Sequence, residues 1–438
     1  CSPVSTSALL VAELTGTNVL KNIRNMLRTA AVPALVSCGV FLLLGFGGSA
    51  GGAVPDLAAV FARGFKQHWA AALPAAAILV LSACKVSTRN TLGASVLLAL
   101  VLGGVIMALT GHNPLEGYGA LLTGAFGTPR GIGNTLAKSA TLCMTGLATA
   151  VAAQAGIFNV GGEGQLYLGA MASAVVGARL AGVSPWIAMP VCLLAAMLAG
   201  GLYAWIPAVL KVKLKVNEVI TTIMMNSAAI YFCSYLANGP LKTADKGISA
   251  GTDAVDPAFM FGRLIKLSNL TESIFYVAVI ALLVWYVMTK TTAGFEMKIT
   301  GQNERFAKFS GIKAGKLAIW SMVASGAICG LVGMFEIFGL HKRFVESVSN
   351  EFYFDGMLVA MIMRYKPTGI ILMSLVFGAL KVGATAMESK VGISSELMLI
   401  VQSIIIFFMA AEQGITASIA ARRARRKAAL SLTKGADA

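Results

Sequence analysis

Long apolar runs separated by short polar connections extend over most of the chain. A helix needs roughly 20 consecutive apolar residues to cross the hydrocarbon core of a bilayer. Apolar runs that approach this length lie at about 31–50, 70–84, 92–110, 132–154, 165–180, 186–210, 218–237, 273–289, 317–340, 369–386 and 396–412, with a shorter run at 353–363. The pattern predicts an all-α fold, a polytopic transmembrane helix bundle of about 10–12 segments.

Two of the predicted segments are too short to cross a bilayer comfortably. They begin near Gly164 and Tyr353, where glycine and an acidic residue occur together. A tilted, re-entrant or broken helix is tolerated at membrane depth only where protein or a water-filled cavity covers its free backbone groups. The two segments enter from opposite faces in this count, as an inverted repeat requires, although so short a match also arises by chance.

The composition excludes an ordinary soluble protein. Charged residues make up 12% of the chain, against about 25% in soluble domains. A net charge of +16 would suggest nucleic acid as a partner of a soluble protein, but the basic residues lie in short connections and tails. We therefore expect membrane lipid around this chain and no nucleic acid. The cysteines other than Cys1 lie in apolar stretches and are predicted to be buried thiols.

Lysine and arginine collect on one side of the predicted topology. Alternate connections and both tails hold 22 of the 35 basic residues, and the other connections hold 10. Because cytoplasmic loops carry the excess of Lys and Arg, we predict a multi-pass protein of the bacterial inner membrane with both termini cytoplasmic. The basic tail at 416–438 suits anionic lipid. The polar connection at 238–272 faces outside, where it can meet an external partner.

The polar run at 156–165 is the first candidate for a solute path. It contains Asn159, Gly162, Glu163 and Gln165, and the chain is apolar before and after it. A helix break at membrane depth frees amide and carbonyl groups that can line a path. An ordinary cytoplasmic turn followed by a packing helix of small residues explains the run equally well.

Three further polar residues in or beside apolar runs are assigned to the same path. Asn226 either faces a lumen or hydrogen-bonds to a neighbouring helix. Glu336 either pairs with Lys342 or Arg343 or lines the path, because an unpaired carboxylate within a span is costly. Asp355 opens the short second segment and is assigned to the path with it.

The remaining ionisable residues indicate no enzyme. We predict no catalytic site, cofactor or metal, because the three histidines lack the spacing of a zinc site. The stretch from Gly311 to Leu317 is too short for a phosphate-binding loop and lacks its final Ser or Thr. Three basic side chains near spans are predicted to extend to the membrane interface: Lys138, Arg179 and Lys381.

The long connection at 290–316 is predicted to lie on the cytoplasmic side. Three apolar residues are spaced there at i, i+3 and i+6; one glycine precedes the first of them and another directly precedes the third. This spacing predicts a short amphipathic helix. The apolar residues and the two glycines are Phe306, Phe309, Ile312, Gly301 and Gly311.

Several stretches in order resemble a known transporter family. They are TLAKSATLCMTGLATAVAAQAG, GIFNVGGEGQLYLGA, NEVITTIMMN, TTAGFEMKITGQNERFAKFSGI, and YFDGMLVAMI with PTGIILMSLVFGALKVG. Over about residues 92–415 the chain resembles permease subunits of ABC importers of the nucleoside and simple-sugar class, which are related to ribose and branched-chain amino-acid permeases. The resemblance implies translocation of a small polar solute, with ATP hydrolysis in a separate subunit.

The resemblance also implies the partners. A second permease subunit, which we expect to be a paralogue in a heterodimer, completes the path, and cytoplasmic ATP-binding subunits drive it. An external substrate-binding lipoprotein delivers the solute. The cytoplasmic loop of such permeases carries a helix that docks into a groove of the ATPase. The residues assigned to this coupling segment are Gly301, Asn303, Phe306, Ala307, Phe309, Gly311 and Ile312.

The chain departs from the family in two places. Residues 1–91 form an N-terminal extension with two predicted spans beyond the permease core at 92–415. After the Asp355 segment, Met363–Lys366 stands where a small residue and Gly or Asn are expected. Two other classes of membrane protein are alternatives. An ion-coupled secondary transporter would use several buried carboxylates, and a membrane scaffold would leave the polar run at 156–165 unexplained.

Overall fold

The described part of the chain is a bundle of helices without a named strand. The structure, a computed structural model, describes residues 101, 103–105, 107–108, 111–244, 251–395, 399–400 and 402–403. The helices are α1 (Pro114–Phe126), α2 (Pro129–Gln154), α3 (Gly162–Arg179), α4 (Pro185–Leu214), α5 (Glu218–Asn238), α6 (Ser273–Lys290), α7 (Thr292–Gln302), α8 (Glu304–Phe309), α9 (Ala314–Glu336), α10 (Phe352–Ile362) and α11 (Pro367–Val391).

All of these helices belong to one compact unit, His112–Met398. Residues 1–111 and 399–438 form a second unit, of which few residues are described. The predicted extension at 1–91, its two spans, most of the predicted span at 396–412 and the tail at 416–438 lie outside the described residues. The proposed domain boundaries therefore stay predictions.

Proline and small polar residues determine where several helices begin. Pro129 starts α2, and the hydroxyl of Thr128 accepts a hydrogen bond from the Gly131 amide at 3.0 Å. Asn217 caps α5 in the same way through the Val219 amide, at 2.9 Å. Proline suits the first turn because its missing amide hydrogen would have no helical partner there. These signals stop adjacent helices from merging across short turns.

Six described helices are long and apolar enough to cross a membrane: α2, α4, α5, α6, α11, and α9 together with the π-helical turn Ile337–His341 that continues it. They coincide with predicted runs, which confirms a polytopic helical bundle. The short α10 was also predicted. Helix α1 was not predicted, because a helix of 13 residues is too short to produce a membrane-length apolar run.

Helix α9 lies at the centre of the bundle and packs closely on α3 and α4. A Cβ atom at Gly330 would lie 2.1 Å from the carbonyl oxygen of Ala196 in α4, and one at Gly333 would lie 2.2 Å from that of Leu166 in α3. Small residues allow this approach, and membrane helices gain most of their association from close packing. Four cysteines inside the bundle are free and buried, as predicted: Cys143, Cys192, Cys233 and Cys329.

The connection between α5 and α6, named the outer connection after its predicted side, has turns of its own, as predicted. It contains a 3₁₀ turn at Pro257–Phe259 and an isolated antiparallel bridge from Gly251 to Val345. The side chain of Asn238, at the end of α5, donates a hydrogen bond to Glu346 at 2.7 Å, and Ser234 donates a second. These bonds hold the pKa of the Glu346 carboxyl below its usual range.

Candidate functional site

Two breaks in the helical backbone meet inside the bundle. The first break, residues 155–161, separates α2 from α3, and Gly156 adopts a left-handed φ of +79° in it. The second break, residues 342–351, separates the π-helical end of α9 from α10. Each break leads into a helix that starts within the bundle, so the backbone groups at the first turn need partners there.

Tyr353 and Glu163 join the two breaks. One carboxylate oxygen of Glu163, Oε2, accepts a hydrogen bond from the Tyr353 amide at 3.0 Å. The Tyr353 hydroxyl donates to the carbonyl oxygen of Asn159. The Tyr353 ring lies against Gly162, where a Cβ atom would come within 2.0 Å of the ring. A glycine is therefore required at 162 by this contact.

Helices α3 and α10 both start at this junction, but the turns that follow them lie in different surroundings. The turn after α3 reaches the outer connection, where the Gly182 amide donates to Asp256 at 3.1 Å. The turn after α10 returns to the first break, because the Tyr365 ring lies edge-on to Phe158 with 6.1 Å between ring centroids. That the two segments belong to an inverted repeat stays a prediction.

Buried amide side chains brace the first break. Asn159 donates to Gln165 at 2.8 Å and to the Ser325 hydroxyl at 2.9 Å. Asn226 of α5 donates to the Val160 carbonyl at 2.7 Å and accepts from the Gly164 amide at 2.8 Å. Buried polar groups are stable when they are satisfied in this way. The bonds fix the non-helical segment between α3, α5 and α9.

The seven residues predicted for the solute path fall into two groups. Asn159, Gly162, Glu163, Gln165 and Asn226 come together at the first break and are all buried. Glu336 and Asp355 lie apart from this group, beside a cavity and in the first turn of α10. That these residues line a path stays a prediction.

Charged side chains lie within the bundle near the junction. Lys381 of α11 forms an ion pair with Asp355 of α10. The Lys138 ammonium lies 4.0 Å from the centroid of the Phe352 ring. The prediction that Lys138 and Lys381 extend to the membrane interface was wrong, because neighbouring helices supply a carboxylate and an aromatic ring at closer range. Glu336 accepts a hydrogen bond from the Thr141 hydroxyl at 2.8 Å.

A cavity of about 610 Å³ lies beside these charges. Helices α1, α2, α6, α9 and α11 line it, together with residues 269–271 of the outer connection. A volume of this size suits a small organic ligand, since ligand pockets usually measure about 300–1,000 Å³. Polar residues that line it include Asn134, Lys138, Thr141, Ser273, Glu336 and Thr385.

The predicted amphipathic helix in the 290–316 connection is α8. Asn303 caps it, with its side chain accepting from the Phe306 amide at 3.0 Å. Phe306 is 57% exposed and Phe309 is 91% exposed, whereas Ala307 is buried. The prediction placed Gly301 at the start of this helix, but Gly301 lies within α7, because Asn303 provides the stronger N-terminal cap. Gly311 follows α8 with a φ of +82°, and Ile312 comes next.

The segment that carries α8 is in direct contact with the first break. A Cβ atom at Gly301 would lie 2.3 Å from the carbonyl oxygen of Gln154, the last residue of α2. A Cβ atom at Gly156 would in turn lie 3.1 Å from the Cα atom of Gly301. Two glycines thus allow α7 to contact the beginning of the first break. A movement of α7 must therefore either move the first break or disrupt this contact.

Sequence reasoning missed several residues of this site. Three of them form hydrogen bonds at the junction or the cavity, but nothing in their apolar sequence surroundings indicates this: Tyr353, Ser325 and Thr141. Tyr353 immediately precedes Phe354-Asp355-Gly356, and its hydroxyl is the signal that could have found it. Arg364 and Tyr365 adopt left-handed φ angles of 51° and 57°. Gly or Asn, which the family resemblance led us to expect there, adopts such angles more easily.

Comparison with known proteins decides the family. The family model described as "Branched-chain amino acid transport system / permease component" matches residues 131–410. The chain belongs to this permease family. The resemblance drawn from the sequence is thereby confirmed, and so is the expectation that this chain is a transport subunit and not an enzyme. No solved structure matches the chain.

Relatives with curated names include guanosine and nucleoside transport proteins. The chain is 34% identical to the guanosine ABC transporter permease protein NupP of Bacillus subtilis over 323 residues, which are 73% of this chain and 92% of the relative. It is 33% identical to the nucleoside ABC transporter permease protein NupB of Lactococcus lactis over 325 residues, 72% of this chain and 89% of the relative. The two bacteria also contain more distant relatives, NupQ and NupC, at 24% and 25% identity.

The relatives also include a permease named for a sugar. The glucose ABC transporter permease protein TsgB13 of Haloferax volcanii is 31% identical over 325 residues, which are 72% of this chain and 85% of the relative. The permease family of these relatives therefore contains proteins named for different small, hydroxylated solutes.

Proposed function

We propose that the chain is one of two permease subunits of an ATP-driven importer for a nucleoside or a simple sugar. The observation that carries this proposal is the contact between Gly301 and the first break. It joins the exposed α8, which suits docking to an ATPase, to the polar junction at Glu163 and Tyr353. Movement of a docked ATPase would reach the centre of the bundle through this contact.

The solute class is inferred from the relatives and from the cavity. Relatives at 34, 33 and 31% identity are named for guanosine, nucleosides and glucose, respectively. These solutes share vicinal hydroxyl groups and carry no net charge. The cavity beside Glu336 is lined by hydroxyl and amide side chains, which hydrogen-bond to such groups.

The proposed assembly contains three further kinds of subunit. A paralogous permease would form a heterodimer with this chain, and the paired proteins NupP with NupQ and NupB with NupC support that arrangement. Cytoplasmic ATP-binding subunits would dock at the coupling segment, and an external lipoprotein would deliver the solute. The location of the basic residues supports a bacterial inner membrane with both termini in the cytoplasm.

We propose that the junction of the two breaks is the gate of the path. The helices on either side of it are short, and non-helical backbone at membrane depth is typical of solute and ion paths. Glu163 to Gln keeps an oxygen acceptor for the Tyr353 amide but removes the charge. We expect this substitution to reduce uptake and to leave assembly unchanged; unchanged uptake would contradict a role in the path.

Docking through α8 is tested with the double substitution of Phe306 and Phe309 by Asp. Both rings are exposed, so the fold should survive, whereas two carboxylates would oppose insertion into an apolar groove. We expect retention of the ATP-binding subunits in a pull-down to fall by at least about tenfold, and uptake to fall with it. Leu214 to Asp is the control, because Leu214 is exposed at the end of α4, outside the coupling segment. Full retention and uptake in the double variant would refute the coupling role.

A further inference from the structure

Two charged groups at the cavity have unused hydrogen-bonding capacity. Glu336 uses its oxygen Oε1 to accept from Thr141, and no donor from the described residues reaches Oε2. The Lys138 ammonium lies over the Phe352 ring, and no acceptor from the described residues reaches it. Both side chains line the same cavity.

These groups are costly inside a membrane bundle. An ionised side chain within a span normally faces a cavity or pairs with another group, and Asp355 with Lys381 is such a pair. Lys138 and Glu336 instead leave three ammonium hydrogens and one carboxylate oxygen for whatever fills the cavity. A packing role would be served as well by two apolar residues, so a ligand role accounts better for this pair.

The chemistry of the cavity selects a neutral solute with hydrogen-bond donors and acceptors. The half-buried charges of Lys138 and Glu336 have opposite signs and balance each other, whereas Arg130 and Lys390, which also line the cavity, are exposed to solvent at their positions. A carboxylate accepts from two neighbouring hydroxyl or amino donors, and an ammonium donates to an oxygen or a ring nitrogen. Nucleosides and simple sugars carry both kinds of group.

We propose that Glu336 and Lys138 form a solute-recognition pair in this cavity. Glu336 accepts hydrogen bonds from vicinal hydroxyl or amino groups of the solute through its free oxygen, and Lys138 donates to an acceptor on the same molecule. This inference rests on the proposed function and goes beyond it by assigning the site within the subunit. The cavity lies apart from the buried brace at Asn159 and Gln165, so recognition and gating belong to different residues.

The test measures uptake by the complete transporter, reconstituted with its partner subunits. Radiolabelled guanosine and glucose are the probes, supplied at saturating concentration so that the maximal rate reflects the permease and not the delivering protein. We expect Glu336 to Gln and Lys138 to Gln each to lower the maximal rate of the transported probe by about tenfold, the usual value of a lost hydrogen bond to a charged group. Glu388 to Gln and Lys290 to Gln are the controls, because neither residue lines the cavity.

A second comparison identifies which solute groups Glu336 binds. Wild-type transporter should move guanosine about tenfold faster than 2′,3′-dideoxyguanosine, which lacks both ribose hydroxyl groups. The Glu336 to Gln variant should move the two solutes at similar rates, because the hydroxyl groups and Glu336 are coupled partners in a double-mutant cycle. The transported probe, guanosine or glucose, should also raise the melting temperature of the wild-type complex in the absence of the delivering protein. This increase should disappear in the Glu336 to Gln and Lys138 to Gln variants.

The outcomes separate the two proposals. If wild-type transporter moves neither guanosine nor glucose, the proposed solute class fails. If it moves either one and both variants match their controls, the recognition pair is refuted and the solute class stands. Stronger inhibition by guanosine monophosphate than by guanosine would also overturn the inference, because it would indicate a site for anions.

Discussion

Glu163 acts as a bridge between two parts of the chain that are far apart in sequence. Its carboxylate satisfies the amide of Tyr353, which is 190 residues away, at the first turn of α10. Helix starts have amides without helical partners, and a negative group is favourable there. The residue therefore stabilises the second break from within the first, and its buried position leaves no water to take over the bond.

Glu163 to Ala should destabilise the protein, because it leaves the buried Tyr353 amide without an acceptor. The expected loss is about 1–3 kcal/mol. Glu163 to Gln provides the matched control, since its amide oxygen can accept the same bond. Thermal unfolding of the detergent-solubilised protein, followed by size-exclusion chromatography, measures both. Equal melting temperatures for the wild type and the Ala variant would show that this bond does not support the junction.

Polar residues of the site were recognisable in the sequence, but their partners were not. Asn159, Glu163 and Gln165 attract attention because polar side chains are rare in an apolar segment. Their partners Ser325 and Tyr353 lie 166 and 190 residues away from the groups they meet. Nothing in the local pattern indicates such distant contacts. The same reason explains the error at Lys138 and Lys381, whose neighbours come from other helices.

At the scale of elements, the contact of α9 with α4 depends on the absence of side chains. Gly330 faces the carbonyl oxygen of Ala196 and the Cα atom of Gly200. Both are backbone atoms, which cannot rotate away as a side chain could. Apolar side chains would hold the helices apart and remove contacts along the whole interface. The helix pair that supports the first break is thus fixed by small residues.

Gly330 to Ala should destabilise the bundle in spite of the better helix propensity of alanine. The added methyl group meets backbone at 2.1 Å, and overpacking of this kind costs about 1–3 kcal/mol. Gly119 to Ala, in α1, is the control because nothing lies within 4 Å of its Cβ position; it should be neutral or stabilising by about 0.5–1 kcal/mol. The melting temperature of the Gly330 variant should fall below that of the wild type, whereas that of the Gly119 variant should stay the same or rise. A Gly330 variant as stable as the Gly119 variant would contradict the packing.

Long helices were predictable from the sequence, and short ones only in part. Apolar runs located α2, α4 and α6 because membrane spans must be long and apolar. The spacing of Phe306 and Phe309 located α8, but its start at Asn303 depends on a cap that competes with the nearby glycine. Helix α1, which packs on α2 and α11, was not predicted because its 13 residues are too few to form a membrane-length apolar run.

At the scale of the whole molecule, α3 and α10 start at one junction, and α3 leads from it to the outer connection. The first break, which is part of this junction, touches α7, and α8 follows α7 with exposed aromatic rings. We propose that a partner docked at that surface supplies the energy for movement. This organisation agrees with the permease family to which the chain belongs.

The most direct measurement of this account is solute uptake into proteoliposomes that contain the complete transporter. Guanosine and glucose are offered outside with the delivering protein, and ATP is enclosed inside. We expect uptake of at least one of them. This uptake should require enclosed ATP, continue when a protonophore and a sodium ionophore collapse ion gradients, and stop when Phe306 and Phe309 are replaced by Asp. Uptake that proceeds without ATP and stops on collapse of the gradients would instead identify an ion-coupled transporter and contradict the central claim.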